Sequence, residues 1–106
     1  MTETAANSEL KLETVTTPEE TVIRCIGKLR YTSAELLRTQ VQPLFPETKR
    51  LVLDLKDLTY LDSFGLGALV GVYLSARRQN CQLKLINVNN QAEQVIRITN
   101  LNYLIE

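Results

Sequence analysis

Apolar and polar residues alternate over Leu10-Lys11-Leu12-Glu13-Thr14-Val15, the two-residue period of a half-buried strand, expected here at a sheet edge. Thr17-Pro18-Glu19-Glu20 reads as a turn. Residues 21–27 (Thr-Val-Ile-Arg-Cys-Ile-Gly) are β-branched and apolar enough for a second strand, giving an opening hairpin. From Thr32 the period lengthens. Ala34, Leu37, Val41, Leu44 and Phe45 follow helical spacing, with Thr32 or Ser33 as N-cap and Pro43 and Pro46 ending the helix. Leu51-Val52-Leu53-Asp54-Leu55 is a nearly unbroken apolar run of strand length, the pattern of a central strand covered on both faces.

A second helical stripe runs through Leu66, Leu69, Val70, Tyr73 and Ala76. It spans roughly residues 63–79, with Arg77 and Arg78 placed to meet the negative end of the helix dipole. Leu83-Lys84-Leu85-Ile86-Asn87-Val88 is a further strand, and Ala92, Val95, Ile96 and Thr99 mark a third helix before the closing segment 101–105. Strands alternating with helices predict an α/β fold, a mixed sheet of four or five strands packed with three or four helices. The first eight residues carry no such period and are expected to be flexible, with one domain over residues 9–106.

Length and composition agree with one domain. A chain of 106 residues with 44% hydrophobic content can bury roughly two thirds of its unfolded surface without metals or disulfides. Twelve basic residues balance twelve acidic ones, so no global field steers the molecule to nucleic acid or to an anionic membrane. The start is locally acidic (Glu3, Glu9, Glu13, Glu19, Glu20 against Lys11), the signature of a solvated segment. Cys25 and Cys81 sit in apolar surroundings and read as small hydrophobes. With no histidine and no Cys-x-x-Cys, no metal site or redox pair is expected. No apolar run approaches the ~18 residues of a membrane span, which points to the cytoplasm.

Chemistry concentrates in Asp62-Ser63-Phe64-Gly65, where a helix opens after a strand and a polar turn. A hydroxyl beside the unpaired N–H groups of a helix start suits a phosphate. Asp62 or Ser63 as a plain N-cap, with Gly65 and Gly67 allowing close helix packing, fits the same residues.

The longer string separates the two. Residues 54–69, Asp-Leu-Lys-Asp-Leu-Thr-Tyr-Leu-Asp-Ser-Phe-Gly-Leu-Gly-Ala-Leu, resemble the signature of the STAS domain, particularly its anti-sigma factor antagonist branch. Gly27-Lys28-Leu29-Arg30-Tyr31-Thr32-Ser33-Ala34-Glu35-Leu36 is similar to that family's turn into its first helix, and Arg97-Ile98-Thr99-Asn100-Leu101 to its end. The resemblance covers about residues 10 to 106. It implies a partner-switching cycle. An anti-sigma factor with serine kinase activity phosphorylates Ser63, the unmodified antagonist binds that factor and frees a sigma factor, and a protein phosphatase resets the serine. Asp62, Phe64, Gly65, Leu66, Arg30 and Thr32 are then the expected partner-binding residues, and the chain is a substrate rather than an enzyme. No cofactor, metal, nucleic acid or membrane enters the cycle, and the protein is expected as a monomer or weak homodimer. The alternative implied by the same fold is a STAS scaffold subunit of a transporter or stress complex that is never phosphorylated.

Four positions, at three places in the chain, depart from the family pattern. Phe64 replaces a second small hydroxyl residue, and either anchors a partner or tucks against the second helix. Arg30 stands where the antagonists usually carry an aspartate, and either reaches a phosphate on Ser63 or faces solvent or the partner. Gln79-Asn80 replaces a common pair of glycines.

Overall fold

The computed structural model describes residues 2–98, 100 and 103. Among these the chain runs β1 (Thr2–Ala6), β2 (Leu10–Thr16), β3 (Thr21–Leu29), α1 (Ala34–Val41), a 3-10 helix (Gln42–Glu47), β4 (Arg50–Asp54), β5 (Leu58–Leu61), α2 (Ser63–Arg78), β6 (Gln82–Ile86) and α3 (Asn90–Ile98). The sheet order is β1-β2-β3-β4-β6, with β5 also paired to β3. β1, β2 and β3 are successively antiparallel; β4 and β5 both run parallel to β3, and β6 runs parallel to β4.

The α/β class expected from the sequence holds, but the sheet has six strands rather than four or five. One added strand is β1, inside the segment expected to be flexible. It carries no apolar alternation, and four of its five residues are exposed, so backbone pairing to β2 rather than core burial holds it. The Asn7 side chain makes the turn, accepting from the N–H groups of Glu9 and Leu10 at 2.8 Å each. β1 therefore covers the edge of β2, which is an interior strand and not the expected edge. The other added strand is β5, only four residues long and too short to show a period.

β3 divides its outer edge between two partners. Thr21, Val22, Ile23 and Arg24 pair with β4, while Gly27, Lys28 and Leu29 pair with β5 after a register shift between Gly27 and Lys28. Gly27 makes the shift possible: its φ is +112°, and a Cβ there would lie 2.3 Å from the Glu9 carbonyl oxygen. The same Glu9 carbonyl accepts from the Lys28 N–H at 2.9 Å.

The core forms where β2, β3, β4 and β6 bury Leu12, Ile23, Cys25, Leu53 and Leu85 beneath Leu37, Val41 and Phe45 of the first crossover and Leu69, Val72 and Ala76 of α2. Leu51, Val52 and Leu53 are all buried, as a strand covered on both faces requires. Both cysteines are free and buried, and burial pushes the Cys25 thiol pKa up to about 12.

The helices begin and end by local chemistry. α1 stops at Val41, and the Pro43 and Pro46 segment continues only as a 3-10 helix. α2 closes with Asn80 at φ +57°, its N–H donating to the Arg77 carbonyl at 3.2 Å and the Cys81 N–H to the Ala76 carbonyl at 2.9 Å. This pair of bonds needs a left-handed residue, a conformation asparagine tolerates, so the absent glycine pair does not break the helix end. The closing segment 101–105 lies outside the described residues except for Tyr103, whose ring meets that of Tyr73 at 5.3 Å.

Candidate functional site

The parallel register of β3 and β5 sets Leu29 opposite Leu61, and the Asp62 N–H reaches the Leu29 carbonyl at 3.4 Å. The loop after β3 and the start of α2 are therefore neighbours. Asp62 itself is extended (φ −110°, ψ −175°), the backbone of an N-cap. Its Oδ1 accepts from the Gly65 N–H at 2.9 Å, and its carbonyl accepts from the Leu66 N–H at 2.9 Å.

With the cap made by Asp62, Ser63 occupies the first helical position. Its side chain is exposed, and its hydroxyl makes no hydrogen bond to any described residue. The backbone N–H groups of Ser63 and Phe64 are the ones an α-helix leaves without an internal partner. Of the two readings open in the sequence, the capping role thus falls to Asp62 and leaves Ser63 free.

Phe64 does not tuck inward against α2. It is 57% exposed, and its ring meets the edge of Tyr31, itself 70% exposed, at a centroid distance of 5.1 Å and an interplanar angle of 75°. The pair walls a surface cavity of about 390 Å³ that Ala34, Glu35 and Arg38 complete. Gly65 is buried because α2 starts hard against β3: a Cβ there would stand 2.2 Å from the Leu29 carbonyl oxygen and 2.9 Å from Leu61 Cδ1. Leu66 is buried in the core. In the free protein both residues hold the turn rather than face solvent.

Arg30 and Thr32 converge on Glu9. The Arg30 Nε lies 3.6 Å from Glu9 Oε1, and the Thr32 hydroxyl donates to Glu9 Oε2. The loop between them is stiffened by Ser33, fully buried, which accepts from the Arg30 N–H at 3.0 Å and donates to the Lys28 carbonyl at 2.6 Å. The structure thus gathers Asp62, Ser63, Phe64, Gly65 and Leu66 at one helix start with Arg30 and Thr32 on the adjoining loop. Sequence reasoning missed Tyr31, Arg38 and Glu9. Tyr31 lies inside the segment that carries the family resemblance, whereas Glu9 belongs to a stretch whose composition signals only a solvated acidic start. Glu13 and Glu20 of that start also form ion pairs, with Arg24 and Arg50 at 3.2 Å each.

Among the described residues no three His, Cys, Asp or Glu side chains cluster as metal ligands, and no helix is long and apolar enough to cross a membrane.

The STAS domain family model matches residues 11–106. The anti-sigma-B factor antagonist of Bacillus subtilis (strain 168) is 33% identical over 84 residues, 79% of this chain and 77% of the relative. This chain is a STAS domain protein of the anti-sigma factor antagonist family. The STAS fold is shared with the anti-sigma factor antagonist SpoIIAA, solved in its unphosphorylated form (TM-score 0.77, 21% identity, 92% of this chain and 85% of that one). The phosphorylated form of SpoIIAA matches with a TM-score of 0.72 at 21% identity, over 92% of this chain and 88% of that one. Strand β1 lies outside the STAS match, which begins within β2.

Proposed function

We propose that this protein is an anti-sigma factor antagonist. Its unphosphorylated form binds an anti-sigma factor with serine kinase activity and so releases a sigma factor in the cytoplasm; phosphorylation of Ser63 ends the complex, and a protein phosphatase restores it. The observation that carries this reading is the Ser63 hydroxyl, exposed and without a partner among the described residues on the first turn of α2, while Asp62 performs the cap.

The chemistry needs only that hydroxyl from this chain. Ser63 Oγ attacks the γ-phosphorus of ATP held by the partner. An Oγ–P bond forms, the bond from that phosphorus to the β,γ-bridging oxygen breaks, ADP leaves, and the hydroxyl proton passes to a base on the partner or to water.

The product carries roughly −1.5 to −2 charge at pH 7. On this protein the charge meets two free N–H groups and the positive end of a 16-residue helix, so the fold tolerates it. On a partner surface fitted to a neutral hydroxyl it brings like-charge contact with Asp62 and a desolvation cost, on the order of several kcal/mol or a hundredfold in affinity. The relatives support the reading, being named antagonists of anti-sigma factors, and SpoIIAA is known in both phosphorylation states.

The test is phosphorylation by the cognate anti-sigma factor and ATP, mapped by mass spectrometry. Parent protein should gain one phosphate on Ser63, and Ser63→Ala should gain none. Ser63→Asp should bind the anti-sigma factor at least tenfold more weakly with little change in melting temperature. Equal phosphorylation of the Ser63→Ala protein would remove the assignment.

A further inference from the structure

Arg30 stands beside the start of α2 along the paired backbone. Leu29 lies opposite Leu61 and accepts from the Asp62 N–H at 3.4 Å, and one residue beyond Arg30 the Tyr31 ring meets Phe64 at 5.1 Å. Arg30 therefore follows directly on the residue paired with Leu61, and Ser63 lies two residues beyond Leu61, where the two segments leave the sheet for the β3–α1 loop and for α2. The arginine side chain is long enough to swing from Glu9 to a phosphorylated serine on the adjoining turn.

In the unmodified protein Arg30 is engaged elsewhere, at 3.6 Å from Glu9, the residue just before β2. This ion pair is long and partly exposed, the kind that contributes little. A phosphate dianion offers the guanidinium twice the charge and two oxygens matched to its fork. Glu9 in turn is the point where the N-terminal hairpin grips the β3–α1 loop. Its carboxylate takes Arg30 and Thr32, and its carbonyl takes the Lys28 N–H.

We propose that Arg30 is the receptor for a phosphoryl group on Ser63, and that its transfer from Glu9 to the phosphate loosens the grip of the N-terminal hairpin on the β3–α1 loop. The proposal rests on Ser63 being the modified residue. It adds a second output to the switch: the phosphate alters the region around Glu9 and β1 as well as the surface that carries Ser63.

The experiment installs phosphoserine at position 63 of the full chain during synthesis by an expanded genetic code, so that no kinase is needed. A kinase that ignores Ser63 would sink the proposed function and leave this test intact. The charged groups around the phosphate are Asp62 on its own element, Arg30 and Glu9 on the adjoining loop and turn, and Glu35 and Arg38 on α1. Phosphorus NMR follows the second ionisation, ordinarily near pH 6. A guanidinium partner favours the dianion and lowers that midpoint, so Arg30→Ala should titrate at higher pH than the parent and Arg30→Lys between them. Glu9→Gln releases Arg30 and should lower the midpoint. Because removing any nearby anion would do the same, the double variant decides: with Arg30→Ala in place, most of the Glu9→Gln effect should vanish.

Hydrogen exchange reads the second half of the proposal. The amides of Glu9, Leu10 and Lys28 should exchange several-fold faster in the phosphoserine protein than in the unmodified one, and Arg30→Ala should abolish the difference. Coincident titrations of parent and Arg30→Ala overturn the receptor role. Unchanged exchange at those three amides overturns the coupling to the hairpin.

Discussion

Gly65 packs directly on the backbone of Leu29, leaving 2.2 Å between the Leu29 carbonyl oxygen and the place a Cβ would occupy. Backbone cannot rotate aside as a side chain can, so Gly65→Ala must push α2 away from β3. The expected cost is about 2–4 kcal/mol, the range of overpacking with backbone displacement. Gly67 and Gly71 lie in the same helix, and a Cβ added at either would meet nothing within 4 Å. Alanine at either should stabilise by about 0.5–1 kcal/mol through helix propensity. Urea denaturation of the three variants checks the contrast, and a Gly65→Ala protein as stable as the parent would refute the packing argument.

Asp62 and Ser63 should separate cleanly under substitution. Asp62→Ala strands the Gly65 N–H now bonded at 2.9 Å and should lower stability by about 1 kcal/mol. Ser63→Ala removes a hydroxyl that has no partner among the described residues and should stay within about 0.5 kcal/mol of the parent. Thermal melts at one pH and one protein concentration suffice. A Ser63→Ala loss as large as that of Asp62→Ala would return Ser63 to a structural role.

Phe64→Ser restores the residue type commoner in the family. The Phe64 ring is more than half exposed and touches only an exposed Tyr31 ring among the aromatic pairs described, so stability should fall by less than about 1 kcal/mol. Affinity for the anti-sigma factor should fall at least fivefold if the ring enters the contact, as its exposure beside Ser63 supports. Calorimetric titration against the partner measures this directly, and undiminished affinity would exclude Phe64 from the interface.

Cys25 predicts a loss of stability in base. Its folded pKa of about 12 stands above an ordinary value of 9.0 because burial disfavours the thiolate. The unfolded chain therefore releases the proton first. The stabilisation is intact below pH 9 and is lost as pH rises toward 12, on the order of 4 kcal/mol across the window. Cys25→Ala should start from a lower plateau and fall less steeply between those two pH values. Parallel curves for the two proteins would show that the thiol does not titrate with unfolding.

Much of this is legible in the chain itself, for local reasons. The cap at Asp62 or Ser63, the stop at Pro43 and the strand at 51–55 each depend on a few adjacent residues, and the structure puts the cap on Asp62, the end of α1 at Val41 and the strand over Arg50–Asp54. What escapes depends on partners far along the chain. Strand β1 has no period of its own and exists by pairing to β2, while β5 is fixed by the register it shares with Leu29. The meeting of Glu9 with Arg30 spans 21 positions and a glycine bulge, a juxtaposition no local pattern encodes. Even the expected neighbourhood of Arg30 and Ser63 comes from family resemblance rather than from spacing, and the pairing of β3 with β5 supplies its physical cause.

The division of labour between Asp62 and Ser63 has a consequence for descent. Because the neighbouring carboxylate anchors the helix, position 63 can change its chemistry without an unfolded intermediate form. A lineage could lose the hydroxyl, exchange it for threonine or fix a permanent negative charge there, each in one step and with the scaffold intact. Position 63 is therefore free to drift faster than the architecture that displays it, and chains with the same fold can differ there at little cost in stability.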